Sequence, residues 1–213
     1  MKALTKRSRI TGYKAGLTSK VSRDRFQFIE PIGGVLFESG FLADNTQIEI
    51  NKYRRLNIEV EIGLLVGSRI AEPPTNIDDL LEKIHGAVPV VELPDLGFES
   101  IGQVTGLDLI AANVCSGNYI IGKSKFLDGY EMDELTAELY WFEDLVNAGQ
   151  GTEVYGGPLG SALWLVNKAL ELGYEIEAGH ILLTGAIGEM IPAQIGVYKA
   201  NFGKLGMLTF QVQ

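Results

Sequence analysis

Ile58-Glu59-Val60-Glu61-Ile62-Gly63-Leu64-Leu65-Val66 carries two carboxylates in a run that is otherwise apolar. Side chains of a strand alternate with a period of two, so Glu59 and Glu61 share one side while Val60, Ile62 and Leu64 take the other. Two like charges on one face repel each other and are costly to desolvate unless a cation or a set of donors lies between them. A hard divalent metal would remove that cost. A wetted face would remove it too, because Glu is rarely buried without a partner.

The segment Ala87-Val88-Pro89-Val90-Val91-Glu92-Leu93-Pro94 repeats the anomaly with one carboxylate in a second aliphatic strand. Three carboxylates from two strands can offer an oxygen face to Mg²⁺ or Mn²⁺ and leave the other octahedral positions to water and substrate oxygens. The competing reading makes Glu92 an ion-pair partner of Arg54 or Arg55.

Around these strands the chain reads as one domain. Its 213 residues, 46% hydrophobic and 21% charged, suffice for a single core, and the domain is expected to span residues 1–213. A net charge of −9, with no Lys/Arg cluster after the first ten residues, argues against a nucleic-acid or anionic-membrane partner and for a small molecule. The lone Cys115 cannot form an internal disulfide, has no zinc spacing and reads as a small core residue. Met1 to Arg9 is basic but leads into no apolar stretch, and no segment is long enough to span a membrane, so a cytoplasmic protein is expected.

Glycine, 26 of 213 residues, is about 12% against a usual ~7% and separates short β-rich runs. Expected strands are Ile10 to Leu17, Gly34 to Glu38, Gln47 to Ile50, Ile58 to Val66, Ala87 to Leu93, Asn118 to Ile121, Ile181 to Leu183, Gln194 to Tyr198 and Met207 to Val212. Glu134 to Val146 fits either period, and Tyr140-Trp141-Phe142 tips it to strand, with Asn147-Ala148-Gly149 as a hairpin turn before Thr152. Asn76 caps a helix over Ile77 to Ile84, and Pro158 opens one over Leu159 to Leu172 that Gly173 ends.

Six segments in this order carry a resemblance: Gly12-Tyr13-Lys14-Ala15-Gly16-Leu17-Thr18-Ser19, Gly34-Val35-Leu36-Phe37, Glu59-Val60-Glu61, Pro89-Val90-Val91-Glu92-Leu93-Pro94-Asp95, Ile110-Ala111-Ala112-Asn113 and Ala178-Gly179-His180-Ile181-Leu182-Leu183-Thr184-Gly185. From about Gly12 onward the chain resembles the 2-keto-4-pentenoate hydratase / 4-oxalocrotonate decarboxylase family of the fumarylacetoacetate hydrolase superfamily. The resemblance implies an α+β, β-dominated fold: a mixed, strongly bent β-roll with peripheral helices. It also implies a homo-oligomer, Mg²⁺ or Mn²⁺ on Glu59, Glu61 and Glu92, and a 2-oxo acid hydrated or decarboxylated through a metal-stabilised enolate. By the same resemblance Lys14 is catalytic, binding the substrate carboxylate and moving a proton with a pKa lowered by burial. Asn113 is catalytic through a water or the keto oxygen, and Thr18, Ser19, Val35 and Leu36 bind substrate.

Departures from the family pattern qualify the expectation. Ile32 in Glu30-Pro31-Ile32-Gly33-Gly34 stands where hydratases of the family carry Asp and decarboxylases often carry Ile, so weight moves away from plain hydration. Ala112, Ala186 and Tyr155-Gly156-Gly157-Pro158 also differ from the usual residues and leave the substrate open. The family's N-terminal helical segment is missing, which makes Met1 to Arg9 an alternative start and leaves an upstream leader open. His85, placed at the end of the first helix, and His180, before a buried strand, are not expected to be catalytic. Two alternatives remain at this point: a catalytically degenerate protein that binds a metal and a 2-oxo acid, and a C–C hydrolase of the superfamily.

Overall fold

The computed structural model describes residues 9–126 and 128–213, so Met1 to Ser8 of the basic start lie outside the described residues. In chain order the elements are β1 (Ile10–Gly16), α1 (Lys20–Phe26), β2 (Ile32–Phe37), β3 (Phe41–Leu42), β4 (Thr46–Ile48), β5 (Asn57–Val66), α2 (Ile77–Leu81), β6 (Ile84–Leu93), α3 (Gly106–Ala111), β7 (Asn118–Ile121), α4 (Gly129–Asp133), β8 (Thr136–Trp141), β9 (Asp144–Gln150), α5 (Gly157–Glu171), β10 (Ile181–Ala186), β11 (Ile191–Pro192), β12 (Gly196–Asn201) and β13 (Met207–Val212).

They build two mixed sheets. One runs β2-β1-β10-β5-β6-β7-β3, with β11 added beside β5, and the other runs β4-β13-β12-β8-β9. Parallel pairs (β1 with β10, β3 with β7, β4 with β13) sit among antiparallel ones. The β5–β6 hairpin is the spine of the first sheet, in register from Glu59 opposite Glu92 to Leu64 opposite Ala87. Val60, Ile62, Leu64 and Val66 join Val91 and Leu93 in the main core, as the two-residue alternation requires. The other face carries Glu59, Glu61 and Glu92 at one end. At its other end Val88 and Val90 pack with Leu36, Tyr119, Ile181 and Leu183 in a separate apolar cluster.

The helices lie outside the sheets. In α5, Gly156 at φ +68° and Pro158 set the start, Gly173 at φ +75° follows the end, and Leu159, Ala162, Leu165, Val166 and Ala169 are buried. The Ser161 hydroxyl donates to the Thr184 carbonyl at 2.6 Å and fastens α5 to β10.

Several expectations need correction. The hairpin of β8 and β9 turns at Phe142 and Glu143, with Phe142 at φ +53°, and Asn147 to Gln150 are strand residues. The first helix, capped by Asn76, stops at Leu81, so His85 belongs to β6 and not to a helix end. The strand expected from Gln194 to Tyr198 is β12, from Gly196 to Asn201. Helix α1 buries none of its residues, so its sequence has no apolar period to read. Helix α3 did carry a signal, the Thr105/Asp108 capping box, in which each side chain accepts from the other residue's backbone N–H.

Candidate metal centre and active site

Glu59 lies directly opposite Glu92 in the β5–β6 ladder, and Glu61 is two residues along on the same side. Directly opposed side chains begin about 5 Å apart, so the register alone brings like charges together. One carboxylate oxygen from each of the three lies within 4.8 Å of the others. Glu61 and Glu92 are 1% exposed and Glu59 is half-buried.

Each carboxylate has a separate support. Glu61 accepts from the Gly185 N–H at 2.8 Å, a bond made possible where β10 breaks register with β5 between Leu183 and Ala186. Gly185 is at φ +114°, and a Cβ there would lie 2.2 Å from Thr18 Oγ1, so conformation and space both demand glycine. Glu92 Oε1 accepts from the Lys14 ammonium in a buried ion pair, whereas Glu92 Oε2 is buried without a hydrogen-bond partner. An orphaned anionic oxygen facing two more carboxylates fits a cation.

Lys14 comes from β1, three strands from β6, a separation of about 14 Å in a flat sheet. Contact with Glu92 therefore depends on the curl of the sheet. The ammonium is 2% exposed and donates also to the Val114 carbonyl at 3.0 Å.

Electrostatics follow from this crowding. Burial first, then the Glu92 charge, pushes Glu59 up to about 7 against the opposing pull of Lys14. Burial, Glu92 and Glu59 hold Glu61 well above the usual carboxylate range, against Lys14 and the Gly185 N–H. Burial alone would lower Lys14, but Glu92, Glu59 and Glu61 together keep it above its ordinary value, which corrects the expected depression. Once all three are ionised, three carboxylates around one ammonium leave two negative charges in excess, the charge of one divalent ion.

The remaining expected site residues separate into two groups. Thr18 is buried beside Gly185, the residue whose N–H donates to Glu61. Ser19 instead caps α1, its hydroxyl accepting from the Ser22 N–H at 3.2 Å. Val35 holds both its backbone groups on Asn113, whose Oδ1 accepts from the Val35 N–H at 2.8 Å and whose Nδ2 donates to the Val35 carbonyl at 2.9 Å. Leu36, 0% exposed, lies in the separate apolar cluster. Asn113 is thus engaged with backbone, contrary to the expected contact with water or a keto oxygen.

Sequence reading missed the turn that Asn113 begins: Asn113, Val114 and Cys115 sit at φ 55°, 54° and 53°. Left-handed backbone costs roughly 1–2 kcal/mol per non-glycine residue, and β-branched Val114 is an outlier there. Ile32, Leu109, Val114 and Cys115 form a third apolar cluster beside Lys14. In it burial pushes the Cys115 thiol up to about 11. Arg54 and Arg55 do not reach Glu92: their backbone N–H groups donate to Asp95. His180 accepts on Nδ1 from the Glu177 N–H at 3.2 Å, and burial lowers its pKa.

A bent mixed β-roll with three glutamates able to hold a divalent metal defines the class, and the fold is that of the fumarylacetoacetate hydrolase superfamily. A solved structure from Yersinia pestis CO92, described as of the fumarylacetoacetate hydrolase family, superimposes with a TM-score of 0.74 at 14% identity over 97% of this chain and 95% of its own. Within that class the chain is a relative of the 2-keto-4-pentenoate hydratases and 4-oxalocrotonate decarboxylases. It is 28% identical to 2-keto-4-pentenoate hydratase 1 of Dechloromonas aromatica over 88% of this chain and 72% of the relative. The 4-oxalocrotonate decarboxylase of Pseudomonas putida G7, solved with magnesium and adipate, matches with a TM-score of 0.91 at 25% identity over 100% of this chain and 81% of its own. No protein-family model matches the chain.

Proposed function

We propose that this protein is a divalent-metal-dependent lyase that acts on a 2-oxo acid, hydrating or decarboxylating a 2-oxo-alkenoate, with Glu59, Glu61 and Glu92 holding Mg²⁺ or Mn²⁺. The observation that carries the reading is the buried cluster itself, with its two excess charges and the unpartnered Glu92 Oε2. Glu59, Glu61 and Glu92 would hold the ion, which when bound would supply Lewis-acid stabilisation of negative charge developing on a 2-oxo acid.

The chain's own groups supply the rest. Lys14, fixed by Glu92 and the Val114 carbonyl, holds a proton beside the cluster and can donate it to a carbon of the substrate. Thr18 adds a hydroxyl beside Gly185, which holds Glu61. The apolar cluster of Ile32, Leu109, Val114 and Cys115 keeps water from that side of Lys14 and strengthens every charge interaction in the site. Ile32 offers no proton carrier, which favours decarboxylation, needing one protonation of the enolate, over hydration, which must also activate a water. A soluble small-molecule enzyme of the cytoplasm, assembled as a homo-oligomer, is consistent with this chemistry.

The test is proton NMR of pyruvate in D₂O with the protein and Mg²⁺. Metal-dependent deuterium exchange of the methyl protons, lost in Glu59→Gln and Lys14→Ala, is the expected result. Mg²⁺ binding without exchange would assign a catalytically degenerate 2-oxo-acid-binding protein instead, and no metal binding would overturn the assignment.

A further inference from the structure

We propose that Asn113 is a positioning residue for Lys14 and acts through the Val114 carbonyl. Only the catalytic consequence rests on the lyase reading; the positioning itself does not. Both ends of the Asn113 side chain pair with the Val35 backbone as a neighbouring strand would, which fastens the turn to β2. Residue Gly34 of β2 is in turn in register with Lys14. The turn so held has three consecutive left-handed residues, a conformation that persists only where its surroundings over-determine it.

The surroundings do so at a second point. A Cβ at Gly16 would lie 2.3 Å from Val114 Cγ1, and one at Gly34 would lie 2.9 Å from the Asn113 carbonyl and 3.2 Å from Val114 Cγ2. Two glycines of two different strands thus make the socket into which Val114 fits. The product is one buried carbonyl 3.0 Å from Lys14 Nζ. An ammonium has three protons. With Glu92 taking one and Val114 a second, rotation stops and the third has a single direction left.

The test reads Lys14 directly, in metal-free protein, from the solvent exchange of its ¹⁵N-bound ammonium protons, assigned by their loss in Lys14→Arg. Slow exchange is expected in the wild type. Asn113→Gly keeps a residue at ease at positive φ but removes the clamp, and it should quicken exchange at least about tenfold. Gly16→Ala, which pushes on Val114 without touching a polar group, should do the same. Asn113→Asp, which retains the acceptor for the Val35 N–H, should fall between. Mg²⁺ affinity should stay within about twofold while pyruvate exchange at saturation falls about tenfold or more with little change in KM.

Rapid Lys14 exchange in the wild type, or wild-type exchange in folded Asn113→Gly, overturns the proposal. So does loss of Mg²⁺ binding in step with Tm in both variants, which is what a merely structural turn would give. Lys14 protons protected in the wild type and released in Asn113→Gly, in a protein that does not exchange pyruvate, overturn the lyase reading and leave the positioning standing.

Discussion

The two ends of one face of the β5–β6 hairpin have the same backbone and opposite chemistry. At one end Val88 and Val90 of β6, with Ile181 and Leu183 of β10 beside them, close over Gly63, whose Cβ would meet Val90, Val88 and Ile181 within 3.1 Å. Two residues away Glu61, Glu59 and Glu92 crowd into a cluster that, fully ionised, has two negative charges in excess over Lys14. The apolar end is stabilised by area removed from water and by close packing. The acidic end is held together by one ammonium and one backbone N–H, and is destabilised by its own charge until a cation arrives. Stability and function are therefore divided at a single step of strand register, and each end can be broken without the other.

The largest expected effect comes from removing the cation at the acidic end. Lys14→Met leaves Glu92 buried without its cation beside two more carboxylates, and loss of one partner of a buried ion pair costs about 3–5 kcal/mol. We expect that loss in urea denaturation of metal-free protein at pH 8, with Mg²⁺ restoring a substantial part of it by binding only the folded state. A loss under 1 kcal/mol would mean that the three carboxylates do not depend on Lys14.

At the apolar end the corresponding change is Leu36→Ala, a cavity in a fully buried cluster expected to cost about 2–5 kcal/mol. Mg²⁺ affinity measured by titration calorimetry should stay within about twofold, because Leu36 has its contacts in the apolar cluster and not at the glutamates. A tenfold loss of affinity would join the two ends and restore Leu36 to the substrate site.

A change of pH separates the ends next. Glu59 has its folded pKa raised to about 7 from an ordinary 4.5, so its neutral form favours the fold. That contribution is present below the unfolded value and is lost as the pH rises through about 7. Metal-free protein should therefore be more stable at pH 5.5 than at pH 8. Metal binding has the opposite sign, since the ion must displace the proton, and Mg²⁺ affinity should rise about tenfold per pH unit below 7 for each proton displaced. An affinity flat between pH 5.5 and 7 would show that Glu59 is already ionised there.

What the sequence disclosed follows the same division. The alternation in Ile58 to Val66 and the isolated Glu92 were legible because a strand period and a misplaced charge are local facts. That Lys14 meets Glu92 across three strands was not readable from spacing, since it depends on sheet curl, and only the resemblance placed Lys14 in the site. The raised pKa of Lys14 was likewise hidden, because burial and three nearby carboxylates act in opposite directions and only coordinates weigh them. Asn113 is singled out only by the resemblance, which gives it a water or keto oxygen, whereas both ends of its side chain hold the backbone of Val35. Gly16 and Gly34 read only as residues of expected strands, yet they are the space into which Val114 fits.

The smallest effect concerns Ser19, which the motif around Lys14 drew into the site and the structure places at the start of α1. Its hydroxyl accepts from the Ser22 N–H and donates to the Ser22 hydroxyl at 2.9 Å, so it satisfies one of the orphan donors of a seven-residue helix. Ser19→Ala should cost about 1 kcal/mol or less, as loss of an N-cap does. Much of that should appear as local fraying, because α1 has no fully buried residue and packs only partly buried Phe26 against an apolar cluster. Hydrogen exchange of the Ser22 amide should therefore quicken while KM for pyruvate exchange stays within about twofold of wild type. A several-fold rise in KM with α1 amides unchanged would put the hydroxyl on the substrate. Neighbouring Thr18 supplies the internal contrast: it is buried against Gly185, whose N–H holds Glu61, so Thr18→Val should alter the acidic end and leave α1 as it was.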